Sequence, residues 1–547
     1  MASIKTFAYK GTQPGQQSFL RDKLLDNPPR LLAVDIETRS LKDRSVVGIG
    51  FGLSPTEAIY VPVHSPAFTS AVLVLCDPGI TKVYHNAMFD IPILFGIYNI
   101  IDTENVLDTM LMCNMEGLPQ QLGEIALAFG MEIKKIKDIL PARTTMDELP
   151  DDVVADKCCD DVMATMLVYE KLWPHVNHAY FRREMALIPV LMAMSLRGIR
   201  IDQERRQLLE DKLSLEVDFY RSLAEAEGFN PASTQQVAYI LMQRGNHIPV
   251  QRNRKGYSAS TDEEVLKKLD DPMAALVLNY RKTSKLLSTY VLPYKGQERG
   301  YTRFHLNAAT GRISSTERNM QNIPPGPGSM DNPGVRTMFL PDSGCFTDLD
   351  FSQQELRALA YISQDPVMLD IFERGLDIHQ QVADFMGIPR RVCKNVNFAA
   401  IYGASDETIM ETAGITSIGK AHEVGIMWRT MFKEAARWII QVQEQGICDG
   451  YVMTLQGRKL WLPGEFVEGE SDRRRKAVNY PIQGSAAEIT KDALLAVARA
   501  GHELVLQVHD ELVIDGNIAE KELRGLGLEE LAPFKCPISV AYYSRWQ

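Results

Sequence analysis

CFTDLDF (Cys345–Phe351) and LVLQVHDELVID (Leu504–Asp515) are the two stretches whose reading decides the fold of the carboxy-terminal two thirds of the chain. The first is a short β-prone run that reads as a strand closing on the carboxylate of Asp350. The second reads as strand, tight turn, strand, with His509, Asp510 and Glu511 near the tip. The segment between them, 366–445, has helical periodicity, so a mixed α+β domain with a helical insertion is expected. Acids in turns are commonplace, and HDE taken alone fits a solvated loop.

Working outward, the stretch before this domain is strongly helical from Glu184, with MALIPVLMAMSL (185–196) followed by long amphipathic segments to about Tyr290. Further towards the start, PRLLAVDIET (29–38) and SVVGIGFGL (45–53) mark residues 29–65 as strands, and a helix-rich stretch runs to about 180. That order suggests an α/β layer domain. In its first strand Asp35 and Glu37 stand two apart, hence on one face. Two carboxylates so close need a cation or a shifted pKa. Asn86 and Asp90 are four apart, as on one helix face, and Asp161 lies in the helical DDVMATMLVYE (160–170). Four carboxylates brought together suit two divalent ions about 3.5–4 Å apart, which activate a water and steady the leaving oxygen of a phosphodiester. DIE alone fits surface acids; the ordered set favours a site.

The bulk composition constrains what these clusters do. With 547 residues and 45% hydrophobic content the chain can bury several cores, and no run of eighteen apolar residues is present. The start, MASIKTFAYKGTQPGQQ, lacks a leader pattern, so a cytoplasmic protein with no membrane partner is expected. Eight cysteines, including adjacent Cys158 and Cys159, show no metal-type spacing and read as thiols in a reducing compartment. A net charge of −11 argues against nucleic-acid binding except through local clusters, which occur at Arg390, Arg391 and Lys394 and at Arg473–Lys476. Arg390, Lys394, Phe398 and Tyr402 recur every four residues, along one helix stripe. Cations at one end and rings at the other could meet a nucleotide, triphosphate on the cations, base and sugar on the rings; an amphipathic helix with aromatics in the core is the plainer alternative.

The motifs carry a resemblance. DFSQQELR (350–357) is similar to motif A of the family A (DNA polymerase I-like) DNA polymerases, usually DYSQIELR; RRVCKNVNFAAIYG (390–403) resembles motif B and VHDELV (508–513) motif C. YRKTSKLLSTY (280–290), TGRISSTERNMQNIP (310–324), DIHQQVA (377–383), TLQGRKLWLP (454–463) and NYPIQGSAAEITKDA (479–493) match further segments in the family's order. DIET, Asn86 to Asp90 and Asp161 to Thr165 resemble the DEDD-type 3′→5′ exonucleases over roughly 30–175. One departure stands out: the family's tyrosine four residues before the last aspartate is Lys157 here, and taking Asp160 as the ligand instead puts Asp156 in that slot.

The resemblance implies an α/β, RNase H-like exonuclease domain over 1–180. An α+β polymerase domain over 184–547 would follow, with a thumb at about 216–300, palm at 301–365 and 446–547, and fingers at 366–445. It implies DNA-templated addition of dNTPs to a primer, with proofreading. Two Mg²⁺ ions per site, or Mn²⁺, would be held by Asp350, Asp510 and the Phe351 carbonyl, and by Asp35, Glu37, Asp90 and Asp161. Glu511 would support the first pair. Arg390 and Lys394 would grip phosphates, Phe398 pack on the sugar, Tyr402 lie by the templating base, and His379 and Gln353 touch the nucleotide. Glu355 would exclude a ribose 2′-hydroxyl, and Phe398 implies poor use of dideoxynucleotides. Arg312, Asn319, Gln321, Arg475, Asn479, Gln483 and His509, with Lys285 and Ser288 of the thumb, would contact primer–template DNA. A processivity factor or replisome proteins are candidate partners, and compactness without a 5′-nuclease segment suggests a phage enzyme acting in the host cytoplasm. The competing readings are a single-subunit RNA polymerase, which Glu355 opposes, and a silent DNA-binding relic, which intact Asp350, Asp510, Arg390 and Lys394 oppose.

Overall fold

The computed structural model describes residues 7–9, 20–99, 103–253, 256–325, 334–403 and 405–547; most of the opening stretch MASIKTFAYKGTQPGQQ lies outside them. The amino-terminal part is built on a six-stranded mixed sheet of β1 (Phe7–Tyr9), β2 (Leu31–Thr38), β3 (Val46–Ser54), β4 (Glu57–Pro62), β5 (Thr81–Tyr84) and β6 (Val106–Asp108), in spatial order β1-β4-β3-β2-β5-β6. The hairpins β2–β3 and β3–β4 are antiparallel, while β5 and β6 add in parallel beyond β2. β5 and β6 fall inside the stretch expected to be helical. At four and three residues they are too short for a period-2 pattern to show.

Helix Asp151–Leu172 lies across β2, β3 and β4 because two glycines of β3 let it approach. A Cβ on Gly50 would stand 2.6 Å from Cys158 Sγ, and one on Gly52 would stand 2.7 Å from the Val162 carbonyl. The same close approach sets Lys157 and Asp161 against the strand that carries Asp35 and Glu37.

In the carboxy-terminal part, strand Phe346–Phe351 is central to an antiparallel sheet, between Glu511–Asp515 and Ile538–Tyr543, with Leu504–Val508 outside. The thirty-residue helix Glu470–Arg499 packs against helix Gln354–Ser363 and against Lys433–Asp449. Helices between 354 and 449 enclose their own core around Leu359, Val396, Ile401 and Trp428. A smaller core around Ala224, Val237, Leu241 and Val277 belongs to helices Gln203–Ala226, Thr234–Gln243 and Pro272–Lys285. The stretch expected to be helical from Glu184 to Tyr290 also contains strand Ile199–Ile201 and the hairpin of Val250–Asn253 with Gly256–Ala259.

Packing does not break near residues 180–184. Phe181, Leu187 and Leu191 belong to one apolar core that runs from Leu32 and Ile91 to Leu349 and Val513. Polar contacts reinforce this joint. Glu184 and Lys491, both fully buried, form an ion pair at 2.5 Å, with Arg458 at 3.6 Å. Arg458 donates to Asn114 Oδ1 at 2.5 Å, and Trp461 Nε1 donates to the Met115 carbonyl at 2.9 Å. All eight cysteines are free thiols, and no described helix is long and apolar enough to cross a membrane.

Candidate active sites

In the carboxy-terminal sheet, pairing register places Asp350 opposite Glu511, and the turn between Leu504–Val508 and Glu511–Asp515 brings Asp510 beside them. His509 occupies the left-handed region at the tip, φ 56°, and Phe351 N–H donates to the Asp510 carbonyl at 3.3 Å. Burial and repulsion from Asp510 and Glu511 push Asp350 up to about 7. Asp510 is also raised, chiefly by burial. Both carboxylates are therefore held close to like charge with no ammonium or guanidinium within ion-pair distance among the described residues, the condition a divalent ion relieves. Glu511 differs: it accepts from Arg336 Nη1 at 3.1 Å and from Trp546 Nε1 at 2.9 Å, which tether its carboxylate.

Sequence reasoning missed Asp348, two residues before Asp350 and on its face. Burial, Glu511 and Asp350 push it to about 8, and one buried oxygen has no partner. The i, i+2 rule that singled out Asp35 and Glu37 applies equally to Asp348 and Asp350.

A cavity of about 260 Å³ opens beside Asp510, lined by Arg312, Gln353, Glu355, Phe398 and His509 among others. Gln353, at φ 55°, begins helix Gln354–Ser363 and keeps a buried amide oxygen unpartnered there. Glu355 is held from two sides, by Arg312 and by the Tyr402 hydroxyl. Helix Arg390–Ile401 carries the expected stripe, with Tyr402 just past its end. His379 is buried against Asn397 at 2.9 Å, its ring 6.0 Å from Phe398, and Asn397 accepts from Trp428 at 3.0 Å, so the buried imidazole is oriented from behind. Burial lowers the pKa of His379 and of His509, favouring neutral rings. Arg390 pairs with Asp377 at 2.5 Å on the surface, while Lys394 makes no ion pair among the described residues.

Of the remaining residues, Asn479 accepts from Gln483 at 2.8 Å along helix Glu470–Arg499, and Arg475 pairs with exposed Asp472. Asn319 accepts from Ser315 at 2.9 Å. The Gln321 amide N–H₂ is committed inside, to the Ile313 carbonyl and to Gln507 at 2.9 Å. Lys285 lines a groove of about 640 Å³ with Lys267, Arg281, Lys282 and Tyr290, and Ser288 lies one turn on.

The second cluster sits on β2. Donor atoms of Asp35, Glu37 and Cys158 lie within 4.8 Å of one another. Asp161 faces the same space from helix Asp151–Leu172 and interacts with Asp35 and Glu37. Asp90 is buried nearby in the first turn of helix Ala87–Tyr98. Asn86 is not on that helix face: it precedes the helix in the left-handed conformation, φ 80°. The turn is set instead by Asp108, which accepts from the N–H groups of Asn86 at 3.0 Å, Ala87 at 2.9 Å and Met110 at 2.8 Å. Asp108 thus fixes the helix start that delivers Asp90, a tertiary role with no local pattern. Burial raises Asp35, Asp90 and Asp161 and pushes Glu37 to about 7. Lys157 Nζ donates to Glu37 Oε1 at 3.2 Å and to Asp161, so the departure noted in the sequence stands inside the cluster.

The sequence profile of DNA polymerase family A matches residues 200–533, and a 3′-5′ exonuclease profile matches 18–177. Similar curated proteins include "DNA polymerase I" of Chloroflexus aurantiacus, 32% identical over 91% of this chain and 58% of that one. The protein of the same name from Pseudomonas aeruginosa is 31% identical over 89% and 59%. This chain thus spans a little under three fifths of the length of these relatives. Among solved structures, the "POL domain of Pol1 from M. smegmatis complex with DNA primer-template and dNTP" shares the fold at a TM-score of 0.80, with 22% identity over 99% of both chains.

Proposed function

The chain belongs to DNA polymerase family A, with a 3′-5′ exonuclease domain preceding the polymerase domain, and from that premise we propose that it extends primers with dNTPs on a DNA template and removes misplaced 3′ nucleotides. The observation that carries the reading is the register that sets Asp350 beside Asp510 at a cavity lined by Gln353, Glu355, Phe398 and His509. The sheet with its flanking strands serves as the palm (301–365 and 446–547), the helices over 366–445 as fingers, and those over 216–300 as thumb; residues 1–180 form the exonuclease unit.

Residues of the palm site fit divalent ions, since two raised, unpaired carboxylates are the donor set a hard cation prefers. Mg²⁺ held by Asp350, Asp510 and the Phe351 carbonyl would acidify the primer hydroxyl and neutralise the triphosphate. Arg390 and Lys394 attract that triphosphate, Arg390 exchanging Asp377 for phosphate. Phe398 and His379 wall the sugar side. Glu355, fixed by Arg312 and Tyr402, fills space beside the sugar and disfavours a 2′-hydroxyl. Arg475, Asn479, Gln483, Asn319 and His509 border the path of primer–template, and Lys285 and Ser288 approach the duplex backbone. Gln321 supports this surface from beneath, through Gln507.

The test is a labelled primer on a longer template with Mg²⁺ and either dNTPs, NTPs or no nucleotide. Extension with dNTPs that Asp510→Ala abolishes, together with shortening without nucleotide that Asp35→Ala abolishes, is expected. Extension with NTPs at equal rate would transfer the chain to RNA synthesis, and no extension at all would refute the polymerase reading.

A further inference from the structure

The amino-terminal cluster gathers four carboxylates, Asp35, Glu37, Asp90 and Asp161, and one ammonium. Lys157 rises from helix Asp151–Leu172 one turn before Asp161, and its side chain is only 11% exposed. Its Nζ touches Glu37 and Asp161, two oxygen donors that face each other across the cluster. Asp35 and Asp90 make no ion pair among the described residues; burial raises both, with repulsion from Glu37 and Asp161 added at Asp35 and from Asp35 and Asp108 added at Asp90. The ammonium therefore pairs directly with Glu37 and Asp161 and with neither Asp35 nor Asp90.

We propose that Lys157 occupies the place of one of two divalent ions, so that this site takes a single divalent ion on its Asp35 side. The inference rests on reading the cluster as a metal-dependent phosphodiesterase centre. A dication bound by Glu37 and Asp161 must sit about 2.0–2.2 Å from their oxygens, in the position the ammonium uses. The two cations compete for the same lone pairs, and each would stand unshielded beside the other. The glycine-permitted packing of its helix on β3 fixes the Lys157 backbone beside β2, and burial leaves its side chain little solvent to turn to. On the Asp35 side the donor set is different: Asp35, a Glu37 oxygen and Cys158 Sγ, which lies 3.7 Å from Asp35 Oδ2. In the resembling exonucleases a neutral tyrosine stands at the Lys157 slot, leaving all four carboxylates to metal. The Lys157 ammonium would supply positive charge to the substrate phosphate without metal exchange, and a single ion held by Asp35 would supply the acidity that activates water.

The experiment counts metal in the full chain carrying Asp350→Asn and Asp510→Asn, so that the palm contributes no tight site. Mn²⁺ is titrated and the free ion followed by electron paramagnetic resonance. One bound Mn²⁺ is expected in this parent, two after Lys157→Met or Lys157→Gln, and one again in Lys157→Arg. In parallel, the Mg²⁺ dependence of primer shortening should change from first to second order on removing the ammonium. Two Mn²⁺ in the parent, or an unchanged count in both neutral variants, overturns the role of Lys157 while leaving a metal-dependent exonuclease intact. No bound Mn²⁺ in parent and variants overturns both.

Discussion

If Asp350 is strained by its like-charged neighbours, removing its charge should stabilise the metal-free protein while ending extension. The carboxyl stands at about 7 in the fold against an ordinary 3.8. At about 1.36 kcal/mol per tenfold change in acidity that gap corresponds to ~4 kcal/mol. Part of the side chain meets solvent, so screening reduces the usable figure to about 1–2 kcal/mol. The sign follows from linkage: a carboxyl with a raised folded pKa costs nothing below 3.8, and its cost is complete above about 7. Asp350→Asn should therefore unfold at a higher temperature in EDTA at pH 8.5, by roughly 1–3 °C, with less than half of that gain at pH 5. Mg²⁺ should then raise the melting temperature of the unsubstituted chain more than that of the variant, because the ion relieves the same repulsion. Scanning fluorimetry at both pH values, with and without Mg²⁺, reads all four quantities. A variant no more stable than its parent at pH 8.5, or stabilised equally at pH 5, refutes the account of a charge-strained palm.

Two further outcomes follow from the same structure. Glu184→Gln leaves Lys491 and Arg458 buried without their counter-charge, and equilibrium unfolding in urea should show a loss of about 3–5 kcal/mol. Glu355→Ala frees both Arg312 and Tyr402 and opens space beside the sugar; the ratio of NTP to dNTP incorporation should rise at least about tenfold, within the ~10–200-fold range a difference of fit can provide, and single-nucleotide kinetics measure it.

What could be read in advance was whatever repeats locally. The strand ending at Asp350, the turn at His509–Asp510 and the stripe from Arg390 to Tyr402 all have short periods, and each lies where expected. The family motifs supplied which of these belong together, a connection no local pattern contains. Long-range roles stayed hidden. Asp108 binds four backbone N–H groups from two helix starts, yet in the sequence it is an aspartate after a three-residue strand. Asp348 needed only the spacing rule already used at Asp35, and was masked by the conspicuous motif that follows it. Asn86 was misplaced on a helix because four-residue spacing cannot distinguish a helical turn from a left-handed residue just before one.

The net charge of −11, which taken alone opposes a DNA-binding role, has a structural resolution. Part of the acidic excess is concentrated in the two carboxylate clusters, where it is a demand for cations rather than a repulsive surface. Exposed cations of the proposed DNA and nucleotide path are already paired: Arg390 with Asp377 and Arg475 with Asp472. Exposed pairs of this kind are worth only about 0–1 kcal/mol, so a phosphate can displace the carboxylate at small cost. The acid then holds the cation in place between encounters, and binding exchanges one partner for another instead of neutralising a bare charge. Because the displaced carboxylate recruits solution cations as the phosphate sheds them, net counterion release per contact falls, and the salt dependence of DNA affinity should be shallower than a count of these cations implies.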